Sequence, residues 1–114
     1  MWLFLLASSL ISVAENDQDQ GHRLVILVEI GNEHDEMQQM AHMLVNSNEF
    51  DLQALILVAG KWLHPGMKNP YRQKLHPELF HELIDGYEKV LPNLKKHASG
   101  WPEADYLRSI VYEG

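Results

Sequence analysis

Two runs of mostly apolar residues, each of strand length, dominate the hydrophobic pattern of the chain. Residues 24–28 read Leu-Val-Ile-Leu-Val, and residues 52–58 read Leu-Gln-Ala-Leu-Ile-Leu-Val. Apolar runs that are rich in β-branched residues and lack polar alternation are typical of parallel strands covered on both faces. The pattern therefore predicts two buried parallel strands, the first of them a central strand of its sheet.

A helical spacing of apolar residues separates the two runs. Met37, Met40, Ala41 and Leu44 recur at intervals of three and four residues, which predicts a helix that ends near residues 46–48. The order is then strand, polar loop, helix and strand. Such a βαβ unit is right-handed in nearly all known cases.

The second half of the chain predicts a long loop and two more helices. Pro, Gly and Asn residues mark residues 61–72 as irregular, and Pro77 suits the first turn of a helix. This helix carries an apolar stripe, which consists of Leu79, Phe80, Leu83, Ile84, Tyr87 and Leu91. Pro92 closes or bends it, and a turn at residues 99–102 leads to the last helix.

The last helix is expected from Glu103, with Leu107, Ile110 and Val111 facing inward. Together the elements predict an α/β fold. Its sheet is open and mainly parallel, and helices flank it.

The N-terminal segment has the composition of an export signal. Residues 1–14 form an apolar block that ends in small residues, with Ser12 and Ala14 suitably placed before a cleavage site. Fourteen residues are too few for a membrane span, which needs about 20. We therefore predict a signal peptide (residues 1–14), a linker (residues 15–22) and a secreted or periplasmic location. A buried N-terminal core segment is the alternative.

The overall charge restricts the classes of ligand. Asp and Glu number 16 against 9 Lys and Arg, which gives a formal charge of −7. This balance argues against a general affinity for nucleic-acid backbones or anionic membranes and favours cations or neutral ligands. The chain has no cysteine, which excludes disulfides, thiolate zinc sites and a cysteine nucleophile.

Carboxylates are concentrated in residues 29–36, called here the acidic segment. Glu29, Glu33, Asp35 and Glu36 lie between the carboxyl end of the first strand and the following helix, where α/β sheets bind ligands. Because like charges this close repel, the segment favours a neutralising cation, and calcium prefers such oxygen ligands. The alternative is a solvated segment whose carboxylates favour the N-terminus of the helix.

Several stretches resemble one known family. Residues 27–36, 44–52, 84–97 and 100–111 are similar to nucleoside hydrolases, in particular to the cellulose-binding nucleoside-hydrolase-like domains. The resemblance covers about residues 23–114. It implies the N-terminal portion of a longer nucleoside-hydrolase-like domain.

The resemblance also implies roles for individual residues. In this family, loop carboxylates bind calcium, and one of them activates a water that attacks the anomeric carbon of an N-glycoside. By position, Glu29 corresponds to the water-activating ligand, Asp35 to a loop carboxylate and Glu36 to the carboxylate that grips the metal. Each Glu that replaces an Asp moves its carboxylate by roughly 1.5 Å. Lys61 lies near the position of the family's metal- and sugar-contacting asparagine and puts a cation where an oxygen ligand is expected, and the neighbouring Trp62 is the second candidate for substrate binding.

Two functions follow as expectations. One is calcium-dependent hydrolysis of N-glycosidic bonds, and the other is non-catalytic binding of a carbohydrate such as cellulose. Because the remaining ligands of the family would follow Gly114, we expect this chain to lack hydrolase activity. We also expect it to be poorly stable alone, because a parallel sheet with two clear strands leaves unpaired edges and exposed apolar faces. The aromatic side chains that suit stacking on a sugar ring are Trp62, Tyr71 and Trp101. They equally suit a core or a turn.

Overall fold

The structure of the chain is a computed structural model that describes residues 21–114. Its main elements are β1 (His22–Val28), α1 (His34–Val45), β2 (Phe50–Leu57), α2 (Pro77–Leu94), α3 (Ala104–Ser109) and β3 (Val111–Glu113). Short 3₁₀ turns occupy Ser47–Glu49 and Pro70–Gln73. The predicted α/β fold is confirmed. The predicted signal peptide (residues 1–14) and most of the predicted linker lie outside the described residues.

The sheet has three parallel strands in the order β1-β2-β3. The expectation that the first strand is central is wrong for the described residues, because β2 lies between β1 and β3. β1 also begins earlier than predicted, since His22, assigned to the linker, pairs with Phe50. The short strand β3 was missed. Val111 belongs to this strand rather than to the last helix, because it pairs with Leu55.

The helices cover one face of the sheet. Core side chains of α1, α2 and α3 pack in one cluster with Leu52, Leu55 and Leu57 of β2. On the other face, the exposed fractions are 47% for Val25 and 63% for Leu27. The prediction of a strand buried on both faces is therefore wrong in this part of the chain, since the second face has no covering helix among the described residues.

Helix α2 supplies the largest share of the core. Pro77 occupies its first turn, where no backbone N–H is needed, and Pro92 lies inside its last turns. The predicted stripe faces inward, with Phe80, Ile84 and Tyr87 buried. None of the helices within residues 21–114 has the length and apolar character that crossing a membrane requires.

The parallel arrangement places two connecting segments side by side. The carboxyl ends of β1 and β2 are paired at Val28 and Leu57, so the residues that follow both strands leave the same edge of the sheet. Leu63 is buried and bridges Gly60, which anchors the second segment against the fold. Any site built from both segments lies at this edge.

Candidate functional site

Two segments of opposite charge form the carboxyl edge of the sheet. The acidic segment follows β1, and its last three residues form the first turn of α1, which begins at His34. Residues 60–76 follow β2 and are called here the basic segment. They contain no Asp or Glu, and their cations are Lys61, Lys68, Arg72 and Lys74.

The carboxylate of Glu36 caps helix α1. Its Oε2 atom accepts the backbone N–H of Glu33 at 3.1 Å and that of Asn32 at 3.3 Å. Glu33 and Glu36 form a reciprocal capping box at this helix terminus. One of the two interpretations of the acidic segment was that its carboxylates interact with the N-terminus of the following helix. The Glu36 carboxylate does so.

Glu29 connects the two segments. Its Oε1 atom accepts the backbone N–H of Trp62 at 3.1 Å. Its Oε2 atom lies so close to Gly60 that a Cβ there would be 1.9 Å away. Glycine at this position therefore allows the carboxylate to rest against the backbone of the basic segment.

The predicted calcium ligands are not gathered into a ready-made site. Within residues 21–114, no group of three or more His, Asp or Glu side chains is placed to hold a metal ion. Glu29 and Glu36 accept backbone N–H groups, as described above, and Asp35 is exposed in the first turn of α1. This arrangement does not fit a preformed calcium site, and the calcium prediction stays a prediction.

One polar atom in the acidic segment lacks a partner. Asn32 Oδ1 is buried without a hydrogen bond, and among residues 21–114 it is alone in this respect. The backbone carbonyl of the same residue accepts a long hydrogen bond, 3.5 Å, from Nη2 of Arg72. Asn32 thus lies where the two segments meet.

His76 organises the basic segment. The side chain is 1% exposed, and its Nε2 donates to the carbonyl oxygen of Tyr71 at 2.5 Å, while Nδ1 lies 2.6 Å from Oε1 of Glu78. The hydrogen bond with His76 is the main cause that lowers the pKa of Glu78. The His76 ring also stacks on the Tyr71 ring, with centroids 3.9 Å apart.

The same histidine contacts the acidic segment. Gly31 has φ +105°, and a Cβ there would lie 2.8 Å from Cδ2 of His76. Sequence reasoning missed His76, because its partners Tyr71 and Glu78 follow no recognised motif. A buried histidine has no periodic signal when it lies just before a helix.

Two open clefts adjoin each other along the basic segment. The first, of about 480 Å³, has side chains that include Lys61, Trp62, His64, Lys68, Asn69 and Arg72. The second, of about 410 Å³, reaches the acidic segment and is lined among others by Asn32, Glu33, His34, Asn69, Tyr71 and Arg72. Asn69 and Arg72 thus line both clefts.

Aromatic side chains stand beside both clefts. Trp62 is 48% exposed, and Nζ of Lys61 lies 4.7 Å from the centroid of its ring. Tyr71 is 47% exposed despite its stack on His76. The predicted substrate-contacting pair, Lys61 and Trp62, therefore lies in one cleft, next to the residues that hold Glu29.

A protein-family model matches most of the chain. Residues 23–114 match the model of the family described as cellulose-binding Sde182, nucleoside hydrolase-like domain. This chain belongs to that family. The resemblance inferred from the sequence is thereby confirmed. Comparison with curated proteins gave no significant match.

A solved structure supports the nucleoside-hydrolase-like fold. The chain is similar to a nucleoside hydrolase-related protein from Saccharophagus degradans that is associated with carbohydrate metabolism, with a TM-score of 0.67 and 26% sequence identity. The similarity covers 83% of this chain and 21% of that protein. This chain thus spans about a fifth of the length of its structural neighbour.

The remaining aromatic candidate lies away from the clefts of the nucleoside-hydrolase-like sheet. Nε1 of Trp101 donates to the carbonyl oxygen of Val45 at 2.9 Å, and the ring packs against the core. Val45 ends α1, at the amino edge of the sheet. The interpretation of Trp101 as a turn and core residue is therefore correct.

Proposed function

We propose that this nucleoside-hydrolase-like domain binds carbohydrate at the carboxyl edge of its sheet. The observation that carries the proposal is the placement of Trp62 and Tyr71. Both rings are about half exposed, and they stand beside two polar clefts that share Asn69 and Arg72. Elsewhere on the surface, Tyr112 is similarly exposed but lies on the open sheet face without such a cleft.

The chemistry of these clefts suits a sugar. A pyranose ring has an apolar C–H face, which an exposed aromatic ring covers, and hydroxyl groups at its rim, which need donors and acceptors. Asn69 and Arg72 supply donors, while the carboxylate of Glu33 supplies acceptors. The clefts therefore combine a stacking surface with convergent polar groups.

The comparisons support the same class of ligand. The family description names cellulose binding, and the neighbour from Saccharophagus degradans is described as associated with carbohydrate metabolism. The predicted secreted or periplasmic location also agrees with a polysaccharide ligand. For this chain, each of these properties is part of the proposal.

Calcium-dependent hydrolysis of an N-glycoside is the second candidate. The unpaired Asn32 Oδ1 favours it, because an oxygen ligand in the acidic segment is left free. Against it, Glu29 holds Trp62 and Glu36 caps α1. The described residues do not gather these carboxylates into a group that could hold a metal ion, and catalysis depends on positioned groups.

Calorimetry with cellohexaose tests the binding proposal on the full chain. Trp62→Ala and Tyr71→Ala are each expected to weaken binding about tenfold, which is about 1.4 kcal/mol. Tyr112→Ala is the matched control, since it removes an equally exposed ring from the open face. Equal losses in all three variants would contradict the proposal, as would the absence of binding of both cellohexaose and an acidic oligosaccharide at millimolar concentration.

A nucleosidase assay tests the second candidate. We expect no release of free base from purine or pyrimidine nucleosides by this chain with calcium present. Calcium itself is expected to bind weakly, with a heat that Asp35→Ala removes. Calcium-dependent release of free base would favour hydrolysis over carbohydrate binding as the function. The absence of a measurable heat of calcium binding would contradict the predicted metal site.

A further inference from the structure

The charge of the chain is divided unevenly along the carboxyl edge. The chain is acidic overall, at −7, yet the basic segment holds four of its nine Lys and Arg residues and none of its sixteen Asp and Glu residues. The acidic segment has the opposite composition, with four carboxylates and neither Lys nor Arg. The basic segment is therefore a local cationic surface in an acidic chain. The preference for cations or neutral ligands that the net charge predicts does not apply to this surface.

The cations of this surface have no carboxylate partners among residues 21–114. The ion pairs found there involve His76, Lys95 and Arg108, none of which is a cleft cation. Lys61 contacts the face of Trp62 instead. The positive charge of the basic segment is therefore left for solvent or a ligand.

Arg72 is the most informative of these cations. It is half-buried, and the one hydrogen bond that its guanidinium makes within the described residues is the 3.5 Å contact with the carbonyl oxygen of Asn32. A guanidinium has five N–H donors in a planar fork. Arg72 lines both open clefts, where water or a ligand can satisfy the remaining donors, and the planar fork suits a carboxylate or phosphoryl group.

The cleft around Trp62 gathers three of these cations. Lys61, Lys68 and Arg72 all line it, and no carboxylate is among its lining residues. Its volume of about 480 Å³ lies within the range of small-ligand sites. The rest of a ligand whose anionic group binds in this cleft would lie next to Trp62. It could also extend past Arg72 into the second cleft, where Glu33 is an acceptor.

We propose that this cleft binds a carbohydrate that carries an oxyanion, such as a uronic acid. Arg72 and Lys68 bind the anionic group, and the ring of the sugar stacks on Trp62. The inference rests on the proposed carbohydrate binding and narrows its ligand class. Because the rest of the chain is acidic, the basic segment attracts an anionic sugar only at short range. Salt also screens this attraction beyond about 10 Å at 0.1 M ionic strength.

The test compares three probes by calorimetry with the full chain at low and high salt. Trigalacturonate carries carboxylates, cellotriose is a neutral trisaccharide, and inorganic phosphate is an anion without a sugar. We expect trigalacturonate to bind at least tenfold more tightly than cellotriose at low salt, with a smaller ratio at high salt. Phosphate is expected to bind more weakly than trigalacturonate.

Variants assign this preference to the cleft. Arg72→Gln and Lys68→Gln should each remove most of the preference for trigalacturonate, while Arg72→Lys restores part of it because the charge is kept without the fork. Lys89→Gln makes the same charge change on the exposed surface of α2 and should have no effect. A thermal melt of each variant verifies that the fold is retained.

The outcomes separate this inference from the proposed function. Equal affinity for trigalacturonate and cellotriose would overturn the anionic preference and leave carbohydrate binding intact. Binding of neither sugar would overturn both. Phosphate as tight as trigalacturonate would show a simple anion site and overturn the role of the sugar ring. Glucose 6-phosphate as a further probe tells a phosphoryl preference from a carboxylate preference.

Discussion

The acidic and basic segments follow neighbouring parallel strands and reach the same edge of the sheet, yet their charged side chains differ in the partners that they find within the fold. In the acidic segment, the carboxylate of Glu36 accepts N–H groups of its own turn, and that of Glu29 accepts the N–H of Trp62. In the basic segment, Lys61, Lys68 and Arg72 have no carboxylate partners among the described residues.

The difference teaches that a charged cluster in sequence is not by itself a binding site. Carboxylates accept backbone N–H groups, which are abundant at a helix N-terminus, so an acidic segment there is readily satisfied within the fold. Lysine and arginine side chains are donors only, so a backbone N–H cannot satisfy them and they need a carbonyl, a carboxylate, water or a ligand as acceptor. The basic segment thus presents three cations, Lys61, Lys68 and Arg72, that have no carboxylate partner among the described residues.

The largest loss of stability is expected at the contact between the two segments, where His76 of the basic segment packs against Gly31 of the acidic segment. His76→Ala should lower the free energy of unfolding by about 2–4 kcal/mol, because a buried ring with two hydrogen bonds is removed. Urea denaturation measures the change. His81→Ala is the matched control on α2, where the side chain is exposed, and should cost less than about 0.5 kcal/mol. Similar small changes in both variants would contradict the role of His76.

A smaller loss is expected on the other side of this junction. Gly31→Ala should cost about 1–3 kcal/mol, since its φ is positive and a Cβ would meet His76. Gly86→Ala provides the contrast, because a Cβ there meets nothing within 4 Å and the residue is helical. It should raise stability by about 0.5–1 kcal/mol. Thermal unfolding of both variants decides, and equal shifts would argue against close packing at Gly31.

The capping role of the acidic segment predicts a loss of about 1 kcal/mol for Glu36→Ala, since two N–H groups at the start of α1 lose their acceptor. Glu36→Gln should retain most of this stability, because an amide oxygen also completes a capping box. The measurement is made with a calcium chelator present. Equal destabilisation by Ala and Gln would indicate that charge, rather than the cap, matters at this position.

The smallest effect is expected in the acid limb of the stability curve. The hydrogen bond with His76 lowers the pKa of Glu78 below its ordinary value of 4.5. The stabilisation is therefore complete above this value and is lost as the pH falls through the lowered pKa. Because the Glu78 side chain is 62% exposed, the contribution is at most about 1 kcal/mol.

Glu78→Gln should flatten this part of the curve, and Glu82→Gln on the same helix should leave it unchanged. Unfolding measured from pH 6 to pH 3 provides the comparison. A steeper acid limb in Glu78→Gln than in the unaltered chain would contradict the assigned direction of the pKa change.

The sequence by itself determined the local elements of this protein. The apolar runs gave β1 and β2, helical spacing gave α1 and α2, and Pro77 marked where α2 begins. These features follow from periodicity and from backbone geometry, which act over a few residues. Several short stretches also carried the resemblance to the family, whose model matches residues 23–114.

Only the tertiary structure decided the order of the strands and the state of each charged group. β1 lies at the edge of the described sheet because β3, from the end of the chain, pairs with β2. Glu29 finds its donor 33 residues away at Trp62, and Arg72 reaches back 40 residues to Asn32. A local pattern shows that a residue is charged, but its partner is fixed by chain packing over such separations, and the partner decides whether that charge remains free for a ligand.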